Sequence, residues 1–207
     1  LVLFKDHGNY ELLGQTNEDA IGEAFDKVAK ILGLPSPGGP AIARAAKEGD
    51  KFKYHLPDAK LKHPYDFSFS GLKTAVLRAV QKEVGVSYDF PSFKLKDKLK
   101  TSEINDFAAS FQYTAIKTLV TKTVKAYNEF QPKSVVIAGG VAANQELREQ
   151  LKAALPIDID YAPINLCTDN AAMIATLGYY KFINDKVTDP YELEVIPSIS
   201  MEKTKWN

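Results

Sequence analysis

The chain has 207 residues, a formal net charge of zero and an isoelectric point near 7.0. That length allows one large domain or two small ones, and 45% hydrophobic with 25% charged residues is ordinary for a globular protein. Overall charge gives no support to a nucleic-acid partner, so an RNA contact needs a local basic patch or a partner subunit. One cysteine excludes an internal disulfide and suits a reducing cytoplasm, and no apolar run is long enough to span a bilayer. The chain starts in a strand pattern without an initiator methionine, so we expect a piece of a longer protein.

Two short strands and a helix are predicted at the start of the chain. The strands cover residues 1–4 and 10–13 and are joined by a tight turn. The helix begins in residues 16–19, where a cap is followed by acids in the first turn, and it ends at Gly33. A hairpin this short needs further strands to be stable.

Asp26 lies in this helix on a face separate from the apolar one, four residues after Gly22. Glycine costs about 1 kcal/mol relative to alanine inside a helix, so a gap beside a carboxylate indicates that something packs there. The alternative is a solvated acid paired with Lys30. The next loop, residues 35–40, either exposes the backbone donors of its two glycines to a ligand or only links to a helix over residues 41–47.

The middle of the chain alternates between irregular and regular segments. Residues 51–65 are predicted as an exposed loop whose two histidines are solvated, and residues 66–70 as a strand that turns into a helix up to Val84. Lys73 lies in the first turn of that helix, where a cation is unfavourable unless an anion is near. Residues 86–100 are predicted to be a mobile, Lys-rich insertion.

A long helix over residues 101–130 precedes a strand of buried character, residues 134–138, which runs into Gly139 and Gly140. Glycines between a strand and a helix let a phosphate or nucleoside approach the backbone closely. Asn144 then either offers its amide to such a ligand or only caps the next helix.

The last predicted elements are a strand, residues 157–161, and a helix, residues 171–183. Asp169 precedes this helix either as its cap or as a metal ligand. A metal held by protein normally takes three or more groups, and this chain alone does not supply them. Cys167 has no histidine placed to activate it and is interpreted as a small buried apolar residue.

Strands feeding helices through short loops indicate the α/β class. In such sheets ligands bind beyond the carboxyl ends of the strands. We therefore expect the turns at residues 70–71, 139–140 and 168–169 to open on one edge and form a common nucleotide site.

Five long motifs resemble the bacterial TsaD proteins, the tRNA adenosine threonylcarbamoyltransferases: residues 17–27 (NEDAIGEAFDK), 37–40 (PGGP), 66–74 (DFSFSGLKT), 138–144 (AGGVAAN) and 167–175 (CTDNAAMIA). The resemblance implies an α/β fold of the actin/Hsp70/sugar-kinase-like (ASKHA) type, with two lobes and the nucleotide in the cleft. By that resemblance, residues 1–16 are a remnant hairpin of the N-terminal lobe and residues 17–207 are the C-terminal lobe. The chain then lacks most of the N-terminal lobe.

The family moves a threonylcarbamoyl group from threonylcarbamoyl-adenylate to N6 of the adenosine 3′ of the anticodon in tRNA. By resemblance, Asp26, Gly39 and Asn144 bind the adenylate, and Asp169 binds a divalent metal, expected to be Fe²⁺, whose other ligands lie outside this chain. No catalytic residue is identified. The implied partners are tRNA and TsaB-like and TsaE-like subunits, with a homodimer left open, in the cytoplasm. Because the chain holds only half of the cleft, we predict that it is inactive alone.

Three other functions compete with this prediction. A non-catalytic, nucleotide-binding partner lobe of the same complex would share the fold. A metalloprotease is disfavoured because the sequence has no His-Glu-x-x-His motif. A sugar-kinase-like phosphotransferase would fit the fold, but a fold does not by itself give a function.

Overall fold

The computed structural model describes residues 1–58, 61–163, 166–167, 169–184, 189–192 and 194–195. Within these residues the α-helices are α1 (Ile21–Leu32), α2 (Gly38–Ala46), α3 (Ser70–Glu83), α4 (Thr101–Phe130), α5 (Gln145–Ala154) and α6 (Ala171–Ile183). The strands are β1 (Val2–Asp6), β2 (Asn9–Leu12), β3 (Thr16–Glu18), β4 (Phe67–Ser68), β5 (Val135–Ile137) and β6 (Ile159–Tyr161). Short 3-10 helices cover Ser92–Lys98, Gly140–Ala143 and Pro190–Glu192. The predicted α/β class and the order of strands and α-helices from residue 66 onward are confirmed.

The N-terminal hairpin forms as predicted. β1 and β2 pair antiparallel, and Asp6 lies opposite Asn9 across the tight turn. Gly8 in this turn has a φ of 76°, a conformation that glycine adopts without strain.

The predicted helix start at residues 16–19 is wrong. Thr16–Glu18 form β3, which pairs in parallel with β4, and Asp19 follows with a φ of 41°. α1 therefore begins at Ile21, and it ends as predicted at Gly33, which has a φ of 75°. A cap-and-acid pattern is a local signal, and here pairing with a strand much later in the chain outweighs it.

Asp66 connects the segment around β3 to β4. Its Oδ1 accepts a hydrogen bond from Gln15 N at 3.0 Å, and its Oδ2 accepts one from Asn17 Nδ2 at 3.2 Å. These bonds hold the pKa of Asp66 below its usual value, the bond from the Gln15 backbone most of all. The bond from Gln15 crosses the predicted domain boundary after residue 16, and the division into residues 1–16 and 17–207 stays a prediction.

The carboxyl ends of β5 and β6 lie at the same edge, because the two strands are parallel and Ile137 pairs with Tyr161. The turns after them therefore start side by side, although Thr168 lies outside the described residues. β4 pairs with β3 in a separate sheet. The prediction that all three turns open on one sheet edge is therefore wrong for the strands described. β5 is also less buried than predicted, since Val136 is 66% exposed.

The core lies where α1, α2, α3 and α4 pack together. α4 is its central helix, and Phe107, Phe111 and Ile116 on that helix are fully buried. Tyr54, from the segment predicted as an exposed loop, stacks on Phe107 with 3.7 Å between the ring centroids. α2 and α5 both pack on α4, so the core fixes the elements that carry the predicted site.

Residues 86–100 are packed on the core, which corrects the prediction of a mobile insertion. The 3-10 helix in this segment contacts α1 and α3, and its Leu95 is fully buried. Gln81 of α3, also buried, donates its side-chain amide to the carbonyls of Tyr88 at 3.1 Å and Phe90 at 3.2 Å.

α6 is apolar but has no buried residue. Ile174 is 72% exposed and Phe182 is 70% exposed. The helix touches the N-terminal hairpin, where His7 stacks on Tyr180 with 3.3 Å between the ring centroids. Among the described residues, no helix combines the length and apolar character needed to cross a membrane.

Candidate functional site

A cavity of about 1080 Å³ opens between α1, α2 and the segment that joins β5 to α5. Its wall includes Asp26, Gly39 and Asn144, which come from three separate parts of the chain. The structure therefore brings together the three residues predicted to bind the adenylate. Asp169 does not belong to this wall.

Asp26 is exposed on α1 and is held by the start of α2. Its Oδ1 accepts a hydrogen bond from the backbone N–H of Gly38 at 2.7 Å. Gly38 is the first residue of α2, so the carboxylate lies at the end of the helix where negative charge is favourable. The alternative pairing with Lys30 is not formed among the described ion pairs. One carboxylate oxygen is thus oriented by the protein, and Oδ2 is left for a ligand.

The two glycines that begin α2 have different surroundings. A Cβ atom on Gly38 would lie 2.6 Å from the Cα atom of Asp26 and 2.6 Å from the carbonyl oxygen of Phe25. A Cβ atom on Gly39 would meet nothing within 4 Å. Gly38 is therefore required for the close packing of α2 on α1, whereas Gly39 leaves open backbone on the cavity wall. α2 also starts three residues before the predicted helix over residues 41–47.

Asn144 uses both ends of its amide. Its Oδ1 accepts a hydrogen bond from Leu147 N at 3.2 Å and so caps α5, while its Nδ2 donates to Gln112 Oε1 at 3.0 Å. The capping interpretation is confirmed, and the second Nδ2 hydrogen is left for a ligand. Because both bonds fix the side chain, any ligand would meet an amide of defined orientation.

Replacing Asn144 by alanine should lower the free energy of unfolding by about 1 kcal/mol, because α5 loses its cap. Asn144→Asp keeps an oxygen for Leu147 N at a helix start that favours negative charge, so it should retain most of the stability. Urea unfolding followed by circular dichroism measures both variants. Equal destabilisation by the two would contradict the assignment of Asn144 as the cap.

The turn before Asn144 has the geometry that its glycines permit. Gly139 has a φ of 84°, in the region that favours glycine. Gly140 begins a 3-10 helix that leads to Asn144, and it lines the cavity. The predicted approach of a ligand to the backbone is therefore open at Gly140.

Several charged and polar residues on the cavity wall were not predicted as site residues. They are Arg44, Lys47, Gln112, Gln145, Glu146 and Glu149. Arg44 and Lys47 are three residues apart near the end of α2 and so share one helix face. Gln112 is a polar side chain, 8% exposed, on the apolar face of α4. A buried glutamine in a run of apolar residues was the signal that could have identified it, because buried polar groups need partners.

Asp19 supplies the anion that Lys73 needs at the start of α3. Its Oδ2 lies 3.2 Å from Lys73 Nζ, and its Oδ1 lies 2.5 Å from Lys27 Nζ. The hydrogen bond from Lys27 holds the pKa of Asp19 below its usual value. The same bond raises the pKa of Lys27. The predicted conflict between Lys73 and the helix dipole is thus resolved by a carboxylate from the β3–α1 junction.

Stability should depend on pH through Asp19. Its folded-state pKa lies below the ordinary value of 3.8, so the stabilisation is present above that value and is lost as pH falls through the folded-state pKa. Asp19→Asn should therefore be less stable than the parent near neutral pH, and the two should converge in acid. Asparagine tolerates the positive φ, so the backbone is kept. A stability difference that does not change between neutral and acid pH, measured by urea unfolding, would refute this.

Asp169 is exposed and does not cap α6. The cap is Asn170, whose Oδ1 accepts a hydrogen bond from Met173 N at 3.2 Å. In the described part of the chain, no three His, Cys, Asp or Glu side chains gather to hold a metal. Cys167 is buried, and its Sγ lies 3.4 Å from the carbonyl oxygen of Ala162, as expected for a packed thiol. The described residues therefore do not form a metal site by themselves.

Comparison with known proteins finds matches to one family. The family model described as "TsaD: tRNA N6-adenosine threonylcarbamoyltransferase" matches residues 1–176. Curated relatives of that name include a protein of Dehalococcoides mccartyi, 47% identical over 203 residues, which cover 97% of this chain and 56% of the relative. A relative from Thermomicrobium roseum is 48% identical over 87% of this chain and 51% of its own length. A relative from Caldicellulosiruptor saccharolyticus is 45% identical over 99% of this chain and 58% of its own length. The chain spans about half the length of the curated relatives it matches.

Proposed function

Because this chain belongs to the TsaD family of tRNA N6-adenosine threonylcarbamoyltransferases, we propose that it is the adenylate-binding, C-terminal portion of such an enzyme. The proposed fold is an ASKHA lobe. The proposed reaction transfers threonylcarbamoyl from threonylcarbamoyl-adenylate to N6 of the adenosine 3′ of the anticodon. The observation that supports this most is the cavity wall shared by Asp26, Gly39 and Asn144.

Each of these residues has a proposed task that follows from its contacts. Asp26 accepts hydrogen bonds from ribose hydroxyls through the oxygen that Gly38 does not use. Gly39 lets the nucleotide lie against the backbone, since nothing occupies the space of its missing Cβ. Asn144 donates its second amide hydrogen from an orientation fixed by Gln112. These residues bind and orient the acyl-adenylate.

In the proposed transfer, the N6 amine of adenosine forms a bond to the carbonyl carbon of the threonylcarbamoyl group. The bond from that carbon to the phosphate oxygen breaks, AMP leaves, and N6 loses one proton. Arg44 and Lys47 on the cavity wall are placed to counter the negative charge of the adenylate and the leaving AMP.

Asp169 is proposed as one ligand of a divalent metal, Fe²⁺, whose other ligands would come from outside this chain. When bound, such a metal would polarise the carbonyl or hold phosphate. We also propose tRNA, TsaB-like and TsaE-like subunits as partners of the whole protein, a homodimer as one of its assemblies and the cytoplasm as its location.

The first test is whether this chain modifies tRNA. Unmodified tRNA and threonylcarbamoyl-adenylate are incubated with the chain alone or with the chain joined to the missing part of a curated relative, and digested nucleosides are measured by mass spectrometry. We expect no product from the chain alone, because the proposed two-lobed fold needs a second wall of the cleft from outside these residues, and product from the completed protein. Clear turnover by the chain alone would overturn the predicted inactivity. A completed, folded protein without product would overturn the transferase assignment.

A non-catalytic nucleotide-binding lobe is the second candidate. The observation behind it is that Asp26, Gly39 and Asn144 line one cavity within this chain. Calorimetric titration of the chain with AMP tests it. Binding that Asp26→Ala weakens, together with no turnover by the completed protein, would favour this second candidate.

A further inference from the structure

The segment before α4 carries the densest run of cations in the sequence. Residues 94–100 contain four lysines in seven positions, although the whole chain has no net charge. We name the exposed surface formed by Arg78, Lys82, Tyr88, Phe93, Lys94, Lys96 and Lys98 the basic ledge. Three acids, Glu83, Asp89 and Asp97, lie in the same stretch, so its cations exceed its acids by two (five minus three).

The lysines of the basic ledge project from a fixed support. Leu95 is fully buried and anchors the 3-10 helix in the core, although its neighbours on both sides are exposed lysines. Lys96 packs its stem against the end of α1, since a Cβ atom on Gly33 would lie 2.6 Å from Lys96 Cβ. Anchored lysines lose less conformational freedom when they bind than lysines on a free loop would.

The lysines of the basic ledge are largely uncommitted within the described part of the chain, whereas the guanidinium of Arg78 donates hydrogen bonds to Gln81 Oε1 and to the carbonyl oxygen of Tyr88, both at 2.9 Å. Among the described ion pairs, the lysines of residues 94–100 contribute one, between Lys100 Nζ and Glu103 Oε1 at 3.7 Å, and Lys100 is not part of the basic ledge. The guanidinium of Arg78 lies 4.6 Å from the ring centroid of Tyr88. Lys94 Nζ lies 5.9 Å from the ring centroid of Phe93. Tyr88 is 62% exposed and Phe93 is 61% exposed.

Cations interleaved with exposed aromatic rings fit one kind of partner. Lysine and arginine neutralise the phosphates of a nucleic-acid backbone. Exposed rings stack on unpaired bases, which RNA presents in its loops. An acidic protein surface would satisfy the cations but would leave both rings without a partner of this kind.

The basic ledge also lies at a useful distance from the cavity. It contacts the end of α1 at Gly33, and Asp26 on the same helix lines the cavity. Seven residues of helix separate these positions, or about 10 Å at about 1.5 Å per residue. RNA held on the basic ledge is therefore within a few nucleotides of the proposed acyl-adenylate.

We infer that the basic ledge is an RNA-binding surface that holds the phosphate backbone near a single-stranded loop. This inference rests on the proposed function for the choice of tRNA as the RNA. It adds the surface that a chain without net charge needs in order to bind a polyanion.

The test measures binding of unmodified tRNA to the 207-residue chain by fluorescence anisotropy between about 50 and 200 mM salt. The variant Lys94→Ala/Lys96→Ala/Lys98→Ala keeps Leu95 and every Cβ atom, so it should fold. We expect at least a tenfold loss of affinity and a salt dependence that falls by about one unit of slope for each lysine that contacts a phosphate. Thermal unfolding by circular dichroism checks that the variant is folded.

The matched control is Lys117→Ala/Lys133→Ala/Lys152→Ala, which makes the same change in net charge at exposed lysines elsewhere. It should change tRNA affinity by less than about threefold. An equal loss in both variants, no loss in the first, or no tRNA binding by the parent chain at about 50 mM salt would overturn the inference. The inference would also be overturned if the triple-lysine variant lost binding to an acidic protein but still bound tRNA as tightly as the parent chain.

This result is separate from the outcome for the transferase. A chain that binds tRNA through the basic ledge keeps the inference even if the completed protein forms no product. A completed protein that modifies tRNA equally well with the three lysines replaced, at tRNA concentrations below saturation, overturns the inference and leaves the proposed function standing.

Discussion

Replacing Phe111 by alanine should lower the free energy of unfolding by about 3–5 kcal/mol. Phe111 is fully buried in α4 and meets Phe25 of α1 edge to face, with 5.0 Å between the ring centroids. Phe25 lies on the cavity wall next to Asp26, so this pair joins the core to the candidate site. Urea unfolding of the 207-residue chain, monitored by circular dichroism, measures the change.

Phe182→Ala is the matched control for this substitution. Phe182 is 70% exposed on α6, so its removal should change the free energy of unfolding by less than about 0.5 kcal/mol. If the two phenylalanines proved equally costly, the assignment of α4 as the central core helix would be wrong. The folded fraction of Phe111→Ala should also bind AMP more weakly, because Phe25 loses the ring that supports it.

The second large effect is expected at Gly38. Gly38→Ala places a Cβ atom 2.6 Å from backbone atoms of Asp26 and Phe25, which must move apart. We expect a loss of about 1–3 kcal/mol in the free energy of unfolding, as for other overpacked sites. The hydrogen bond from Gly38 N to Asp26 Oδ1 should be weakened at the same time.

Gly39→Ala is the neighbouring control and should behave in the opposite way. Its Cβ atom meets nothing within 4 Å, and alanine in the first turn of α2 should add about 0.4–1 kcal/mol of stability. The same methyl group occupies the cavity, so AMP affinity should fall although the fold is more stable. Titration calorimetry with urea unfolding separates the two effects. If Gly39→Ala bound AMP as tightly as the parent, Gly39 would not be a contact residue.

Local periodicity was enough to predict α1, α3 and α4. Each shows apolar residues at helical spacing, and for α1 and α4 the predicted ends were right because Gly33 and the residues around Pro132 stop a helix by their own chemistry. β3 could not be predicted in the same way. Residues 16–19 carry the chemistry of a helix start, and only pairing with β4, nearly fifty residues later, makes them a strand.

Residues 86–100 were also mispredicted from local sequence alone, here as a mobile segment that in fact packs on the core. One leucine among lysines has no periodicity, so nothing in the segment indicates that Leu95 reaches the core. Its burial depends on the groove that α1 and α3 form together. Packing between elements, rather than local preference, decides such a segment.

The candidate site was predictable in part, for a chemical reason. Gly39 and Asn144 lie at helix starts, where backbone N–H groups are free for a ligand. Asp26 lies four residues after Gly22 and so shares a helix face with it. Their partners depend on the assembled fold, so neither Gly38 as the donor to Asp26 nor Gln112 as the acceptor from Asn144 could be predicted. The sequence left Asp169 open as the cap of α6 or as a metal ligand, and the structure gives the cap to Asn170, whose side-chain oxygen can accept the same hydrogen bond.

The bond between Gly38 N and Asp26 Oδ1 turns one backbone proton into a reporter of site occupancy. That proton can exchange with solvent only when the start of α2 lifts away from α1, so its exchange rate measures the frequency of this local opening. A nucleotide held on the free oxygen of Asp26 would keep the carboxylate in place and slow the exchange at Gly38. Hydrogen exchange at this single amide can therefore report binding without any measurement of turnover.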